Sequence, residues 1–259
     1  MCKGNDVSFL NFLLDDLVGK SVPVPTSGTT SGHAAGEPFS GLVFSLLRDK
    51  FPETTFKQHE YLNSLYRNNP RAQNAEERHD LIKSKPAAFL LNRGKKPTAE
   101  WNISKPFEEK QNDTSDTLFI RNSEYHILDT KTSDLEKKPQ PPNIISAYKV
   151  CQLCDSMITT NDFNSVVITY IGIRWQRISN KLICKESYIK DLFRIPPNEL
   201  YINWSAALQI QFKVDSVSQS FAGNTRLWCR KYLEFFLGSA IDREKKFRKS
   251  FIQPFEKYL

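Results

Sequence analysis

The chain has 259 residues, 39% of them hydrophobic and 25% charged, with a net charge of +7. That is enough chain to bury a sizeable core in one large domain or two small ones, and the balance is that of a globular protein and not a disordered one. No apolar run approaches the roughly 18 residues that a membrane crossing needs. The five cysteines, odd in number and scattered, do not read as a disulfide framework, which fits a reducing, cytoplasmic setting.

At the start, Asp15 and Asp16 interrupt an apolar stretch, which predicts an amphipathic helix rather than a secretory signal. Ser21 to Gly36 is rich in Ser, Thr, Gly and Pro and reads as a loop, without the GxxxxGK of a nucleotide-binding P-loop. Glu37-Pro38 then opens a helix carrying Phe39, Leu42, Val43, Leu46 and Leu47 at helical spacing. Lys57 to Trp101 reads as short helices with polar breaks. Within it Arg93, Lys95 and Lys96 bracket Gly94 in a turn that could hold a phosphate or simply be solvated.

From Thr117 the pattern changes to strands. Thr117 to Ile120 and Tyr125 to Lys131 are apolar and β-rich, joined by the turn-like Arg121-Asn122-Ser123-Glu124. A helix is predicted from Asn143 to Ile158. Its Cys151 and Cys154 lack a second pair at zinc spacing and read as small apolar residues. Val166 to Arg174 and Leu182 to Ile189 are two more strands, and Leu200 to Asn203 with Leu208 to Val214 could be another pair. A long helix runs from Thr225, with a break expected near Gly238. Phe235, Phe236, Ile241, Phe247 and Phe251 recur in it among charges, and Arg243 to Lys249 reads as a solvated face. The alternation suggests an α/β (α+β) fold, a mixed central sheet flanked by helices.

The stretch from Phe107 to Thr132 carries the chemistry. If its two strands pair across a turn centred between Asn122 and Ser123, Ile120 faces Tyr125, Leu118 faces Ile127, and Asp116 faces Asp129. Side chains so opposed have Cβ atoms about 5 Å apart. Two carboxylates that close, flanked by apolar residues, repel unless positive charge lies between them. Magnesium, which takes hard oxygen ligands and keeps several waters, resolves the conflict. Lys131 lies two residues beyond Asp129 and projects from the same strand face. Two acids, a cation and a lysine are what phosphodiester hydrolysis uses. Asp-x-Lys by itself is a weak signal, and two rim carboxylates with Lys131 pairing one of them is the plainer alternative.

Further strings add to this one: Ser31-Gly-His-Ala-Ala-Gly-Glu-Pro-Phe39, Pro142-Asn-Ile-Ile-Ser-Ala-Tyr-Lys149, Glu199-Leu-Tyr-Ile-Asn-Trp204, Gln209-Ile-Gln-Phe212 and Pro254-Phe-Glu-Lys-Tyr258. Together with Phe107 to Asp113, Asp116, Asp129 and Lys131 they resemble, nearly end to end, the HincII-type family of type II restriction endonucleases, within the PD-(D/E)xK nuclease superfamily. The resemblance implies a single domain over residues 1–259, with a catalytic core at about 107–215 and two subunits clasping duplex DNA. It implies that Asp116 and Asp129 bind magnesium (with manganese able to substitute), helped by the backbone carbonyl of Thr130, and that Lys131 is the catalytic lysine. The superfamily's usual proline before the first acid is replaced by Ser115, a departure the HincII type shares. Glu37 lies where some members carry an extra acid.

The same resemblance implies a GTYRAC target, cut at its centre to leave blunt ends with 5′ phosphates. Its pyrimidine–purine centre can be selected through deformability. Gln140, stiffened by Pro139, Pro141 and Pro142, matches a glutamine that pushes into the DNA from the minor-groove side. Pro141 replaces a smaller residue of the family pattern. Asn143 and Asn203 match polar residues that reach base edges, with a helix N-cap and a strand-end turn as their duller roles, and Tyr201 could contact DNA or pack. Arg93, Lys95 and Lys149 are candidates for phosphate contacts. A cognate DNA methyltransferase is the implied functional partner. Two alternatives stand beside this reading. One is a catalytically silent DNA-binding protein, which the intact Asp116, Asp129 and Lys131 speak against. The other is a repair or mobile-element nuclease of the same fold.

Overall fold

The computed structural model describes residues 7–25, 33–92, 107–109, 113–137, 141, 143–205, 208–212 and 217–259. The N-terminal amphipathic segment folds as expected. In helix α1 (Phe12–Leu17), Leu13 and Leu17 are buried while Asp15 and Asp16 face solvent. Within the expected loop, Ser21–Pro23 forms an edge strand (β1), and helix α2 (His33–Lys50) begins four residues before the Glu37-Pro38 start signal. Pro38 is the sixth residue of α2, so it forfeits one intrahelical N–H bond to the first turn. Phe39, Val43 and Leu47 of α2 are fully buried, a spacing of four residues that lines one helix face.

A short strand β2 (Thr55–Phe56) leads into three helices, α3 (Gln58–Asn68), α4 (Ala75–His79) and α5 (Lys85–Leu91). Next come β3 (Thr117–Arg121) and β4 (Glu124–Asp134). Their turn places Asn122 at φ 51° and Ser123 at φ 64°. Two consecutive left-handed residues twist the chain in the sense that a tight hairpin needs, so the hairpin closes without glycine. Helix α6 (Ala147–Thr160) crosses over to β5 (Val166–Ile178), which continues into β6 (Lys181–Asp191). Strands β7 (Tyr201–Asn203) and β8 (Gln209–Gln211) form a separate pair, and α7 (Thr225–Phe247) follows.

The main sheet has the order β1-β6-β5-β4-β3-β2. β4 and β5 are parallel and the other neighbours antiparallel, as an α6 crossover requires. This is the mixed sheet with flanking helices that the sequence suggested. β5 reads Val-Val-Ile-Thr-Tyr-Ile-Gly-Ile because it is covered on both faces. On one face α1 and α2 pack over Phe119, Leu128, Ile171, Ile173 and Trp175. On the other α3, α4, α5, α6 and α7 pack over Leu118, Tyr125, Ile127, Ile168 and Tyr170. Every second residue of a strand shares a face, so Asp129 and Lys131 project from the Tyr125–Ile127 side.

Three further expectations change. The helix expected from Asn143 begins at Ala147, with Ser146 as its N-cap accepting from the Lys149 amide. The residues before it instead run along β8. Ile144 N donates to Ile210 O at 3.0 Å, Ile210 N to Ile145 O at 2.8 Å, and Ala147 N to Leu208 O at 2.7 Å. No break occurs at Gly238, where α7 continues to Phe247. Its apolar positions also divide. Phe235 and Phe236 pack on the core, whereas Ile241, Phe247 and Phe251 are exposed. Cys151 and Cys154 are free and buried on α6, as read from the sequence.

Candidate active site

The hairpin register is the one the sequence predicts. Leu118 pairs with Ile127 and Ile120 with Tyr125, and the ladder begins at Thr117 opposite Leu128. Asp116 lies one residue beyond that first pair, level with Asp129. Its amide donates to Leu128 O at 3.1 Å, and the Thr130 amide donates to its carboxylate Oδ2 at 2.9 Å. That second bond locks the Asp116 carboxylate, just ahead of β3, against the middle of β4. Lys131 Nζ stands 2.8 Å from Asp129 Oδ2. The three residues therefore converge, and the lysine ammonium is the positive charge that Asp129 meets.

The surroundings make Asp129 reluctant to ionise. Its side chain is 17% exposed. Burial, and to a lesser degree the neighbouring Asp116, raise its pKa to about 7 against the pull of Lys131. Across the parallel ladder Asp129 pairs with Tyr170. The Tyr170 hydroxyl is buried and has no hydrogen-bond partner among the described residues. Burial, then Asp129 and then Asp191 hold its pKa well above the ordinary phenol value. Lys131 pairs with Gly172, and the Tyr188 ring lies so closely over Gly172 that an added Cβ would collide with it. Only a residue without a side chain admits that ring, which forms a wall beside the lysine. His126 points to the opposite face between Phe9 and Phe119. Burial lowers its pKa to about 4, so it is a neutral core imidazole and not an acid–base group here.

A divalent cation fits this pair of acids. A largely buried carboxylate held near pKa 7, with a second one beside it, is a site short of positive charge, and both groups are hard oxygen donors. Among the described residues no cluster of three or more His, Cys, Asp or Glu could hold a metal. Two carboxylates, with no histidine or cysteine beside them among the described residues, suit magnesium, which takes hard oxygen ligands and keeps waters, better than zinc, which favours nitrogen and sulfur ligands.

The segment that delivers Asp116 is tied down by a residue the sequence did not reveal. Gln58, 3% exposed at the start of α3, donates through Nε2 to Leu91 O at 2.9 Å and to Asp113 Oδ1 at 3.3 Å. Its Oε1 accepts from the Thr114 amide at 3.2 Å. Thr114 Oγ1 also donates to Leu90 O at 2.8 Å. A lone glutamine, so far upstream of the segment it holds, carries no local signal of this role.

The remaining candidates divide. Glu37 is exposed on α2, which packs on the Leu128 face of the sheet, opposite the side from which Asp129 projects. Tyr201 is 62% exposed on β7. Asn203 accepts from the Ser205 amide at 3.1 Å, which is the strand-end turn role. Asn143 is exposed beside β8, and Lys149 lies half-buried in the first turn of α6. Arg93, Lys95 and Gln140 lie outside the described residues.

A mixed sheet whose adjoining strands bring two carboxylates and a lysine to one end is the framework of a phosphodiester-cleaving endonuclease of the restriction type. Comparison with known proteins agrees. The family described as restriction endonuclease HincII matches residues 13–259. The type II restriction enzyme HindII of Haemophilus influenzae is 43% identical over 257 residues, covering 98% of this chain and 100% of that protein. HincII from the same species is 42% identical over 257 residues with the same coverage. The chain belongs to the HincII family of type II restriction endonucleases.

Proposed function

We propose that this enzyme hydrolyses both strands of duplex DNA at GTYRAC, cutting at the centre to leave blunt ends with 5′ phosphates, as a magnesium-dependent homodimer. The observation that carries the proposal is the convergence of Asp116, Asp129 and Lys131 on one strand end. Asp116, Asp129 and the Thr130 carbonyl would hold the cation. When bound, it supplies positive charge to the phosphoryl oxygens and makes the attacking water more acidic. Asp116 is pre-aimed by the Thr130 amide. Asp129, relieved of its unfavourable charge, releases Lys131, whose ammonium then orients the attacking water and stabilises charge on phosphorus. Glu37 is assigned at most an accessory part, through the approach of α2 to β4 where Gly36 faces Thr132.

On the DNA, Gln140 presses into the central pyrimidine–purine step, Asn143 and Asn203 read base edges, and Tyr201 contacts the DNA beside Asn203. Arg93, Lys95 and Lys149 hold phosphates and set the register. A two-fold site calls for a two-fold protein. The uncovered Leu237, Ile241, Phe247, Phe251, Phe255 and Tyr258 support self-association. Large aromatic side chains offer about 150–250 Å² each, so the four aromatics, even half exposed, supply roughly 300–500 Å² of the ~800 Å² a side of a stable interface. A cognate methyltransferase would protect the host's own sites, and both would work in the cytoplasm.

The test is a plasmid carrying one GTYRAC site. Linear product with magnesium or manganese, none with chelator, and blunt ends sequenced at the centre of the site are expected. Intact plasmid after prolonged incubation with magnesium would overturn the proposal, and ends mapping elsewhere would replace the target.

A further inference from the structure

The surface that carries the candidate base contacts is a three-stranded ribbon with one dry and one polar face. Its strands are β7, β8 and the run from Ile144 to Ala147. Ile202 and Ile210 point inward and are 3% and 0% exposed. The register sets Tyr201 opposite Gln211 and Asn203 opposite Gln209. Alternation therefore turns Tyr201, Asn203, Gln209 and Gln211 to the other face. Asn143 lies at the end of the third strand beside Gln211. The two glutamines have no part in the hydrolytic machinery described above.

Gln211 is joined to Asn143. Its Nε2 donates to Asn143 Oδ1 at 2.7 Å and also approaches Pro141 O at 3.4 Å. A backbone carbonyl can only accept, so Pro141 fixes which end of the Gln211 amide faces this side. That end is the NH2 group. Asn143 must then turn its oxygen toward Gln211. Its own NH2 is left pointing away, and the amide that could have offered a donor and an acceptor now offers donors alone.

We propose that Gln211 is a positioning residue for sequence recognition, holding Asn143 so that it donates to an acceptor atom on a base edge, such as a purine N7, guanine O6 or thymine O4. This rests on the reading of Asn143 as a base-contacting residue. An unheld Asn143 could rotate its amide and tolerate a donor base edge at the same position. The held one penalises it, because two donors would face each other. The Gln211–Asn143 bond thus adds discrimination without Gln211 touching the DNA.

The experiment measures kcat/KM of the intact enzyme on its cognate duplex and on each single-base-pair variant of that target. It compares wild type, Gln211→Ala, Gln211→Glu, Asn143→Ala and the Gln211→Ala/Asn143→Ala double variant. Gln211→Ala should lower discrimination at one symmetric pair of positions by roughly tenfold, mostly through KM. The double variant should discriminate no worse than Asn143→Ala, since Gln211 acts through it. Gln211→Glu presents only acceptors to Asn143 and Pro141. The Asn143 amide should turn its oxygen outward, shifting preference at that position toward a base with a donor such as adenine N6 or cytosine N4. Loss of discrimination in Asn143→Ala with none in Gln211→Ala overturns the inference and leaves the reading of Asn143 standing. A double variant that loses further discrimination also overturns it, because Gln211 would then read DNA independently. No change in any variant overturns both.

Discussion

Replacing Asp129 by asparagine should abolish cutting and make the metal-free protein more stable. In the folded chain, burial and Asp116 raise the Asp129 pKa from an ordinary 3.8 to about 7. A raised carboxyl pKa means that the folded state binds the proton more tightly than the unfolded state. The contribution to stability is therefore fully present below pH 4 and is lost as pH rises through 7. A shift of that size corresponds to about 4 kcal/mol as an upper figure, and to roughly 2 kcal/mol once the partial exposure of the side chain is allowed for. The substitution gives up the 2.8 Å ion pair to Lys131, but the pull of that lysine is already counted within the raised pKa. For a chain of this size about 2 kcal/mol is roughly 4–8 °C in Tm. Thermal unfolding in chelator at pH 8.5 should show Asp129→Asn melting higher than wild type, with the gap narrowing toward pH 4. Equal or lower melting of the variant at pH 8.5 would refute the argument that this site is frustrated without its cation.

Other consequences follow from the same geometry. Gly172→Ala drives a methyl group into the Tyr188 ring, so either the ring or β5 must move. It should cost about 1–3 kcal/mol in chemical denaturation and reduce turnover by disturbing the wall beside Lys131. Gln58→Leu removes the ties to Leu91, Asp113 and Thr114, loosening the approach to Asp116. Magnesium titrations of cleavage should show a higher half-saturating concentration in this variant, and an unchanged one would place the role of Gln58 in folding alone. Duplex binding in calcium should fall steeply as salt rises, because phosphate contacts release counterions, and a flat response would contradict a phosphate-clamping surface.

The active-site hairpin was legible in the sequence because its signals are local. A polar turn between two β-rich runs fixes the register, and the register alone brings Asp116 level with Asp129. The order of strands around it was not legible, since pairing β4 with β5, β6 with β1, and β3 with β2 depends on contacts between segments distant in sequence. Start signals misled where tertiary pairing outweighed them. Pro38 suggested a helix start that lies at His33, and the apolar run after Asn143 looked helical but pairs with β8. That pairing matters for the site, because it hands the N-cap role to Ser146 and leaves Asn143 beside Gln211. Gln58, Tyr170 and Tyr188 had no motif to betray them, as each acts through a neighbour supplied by another strand or helix.

The location of the cation is the most direct test. With iron(II) in place of magnesium on the enzyme–DNA complex, ascorbate and peroxide generate radicals that cut the polypeptide next to the bound ion. Fragments ending beside Asp116 and Asp129, lost in Asp129→Asn and suppressed by excess magnesium, are the expected result. Cuts confined to other parts of the chain, unchanged by that substitution, would contradict a catalytic ion held between these two carboxylates.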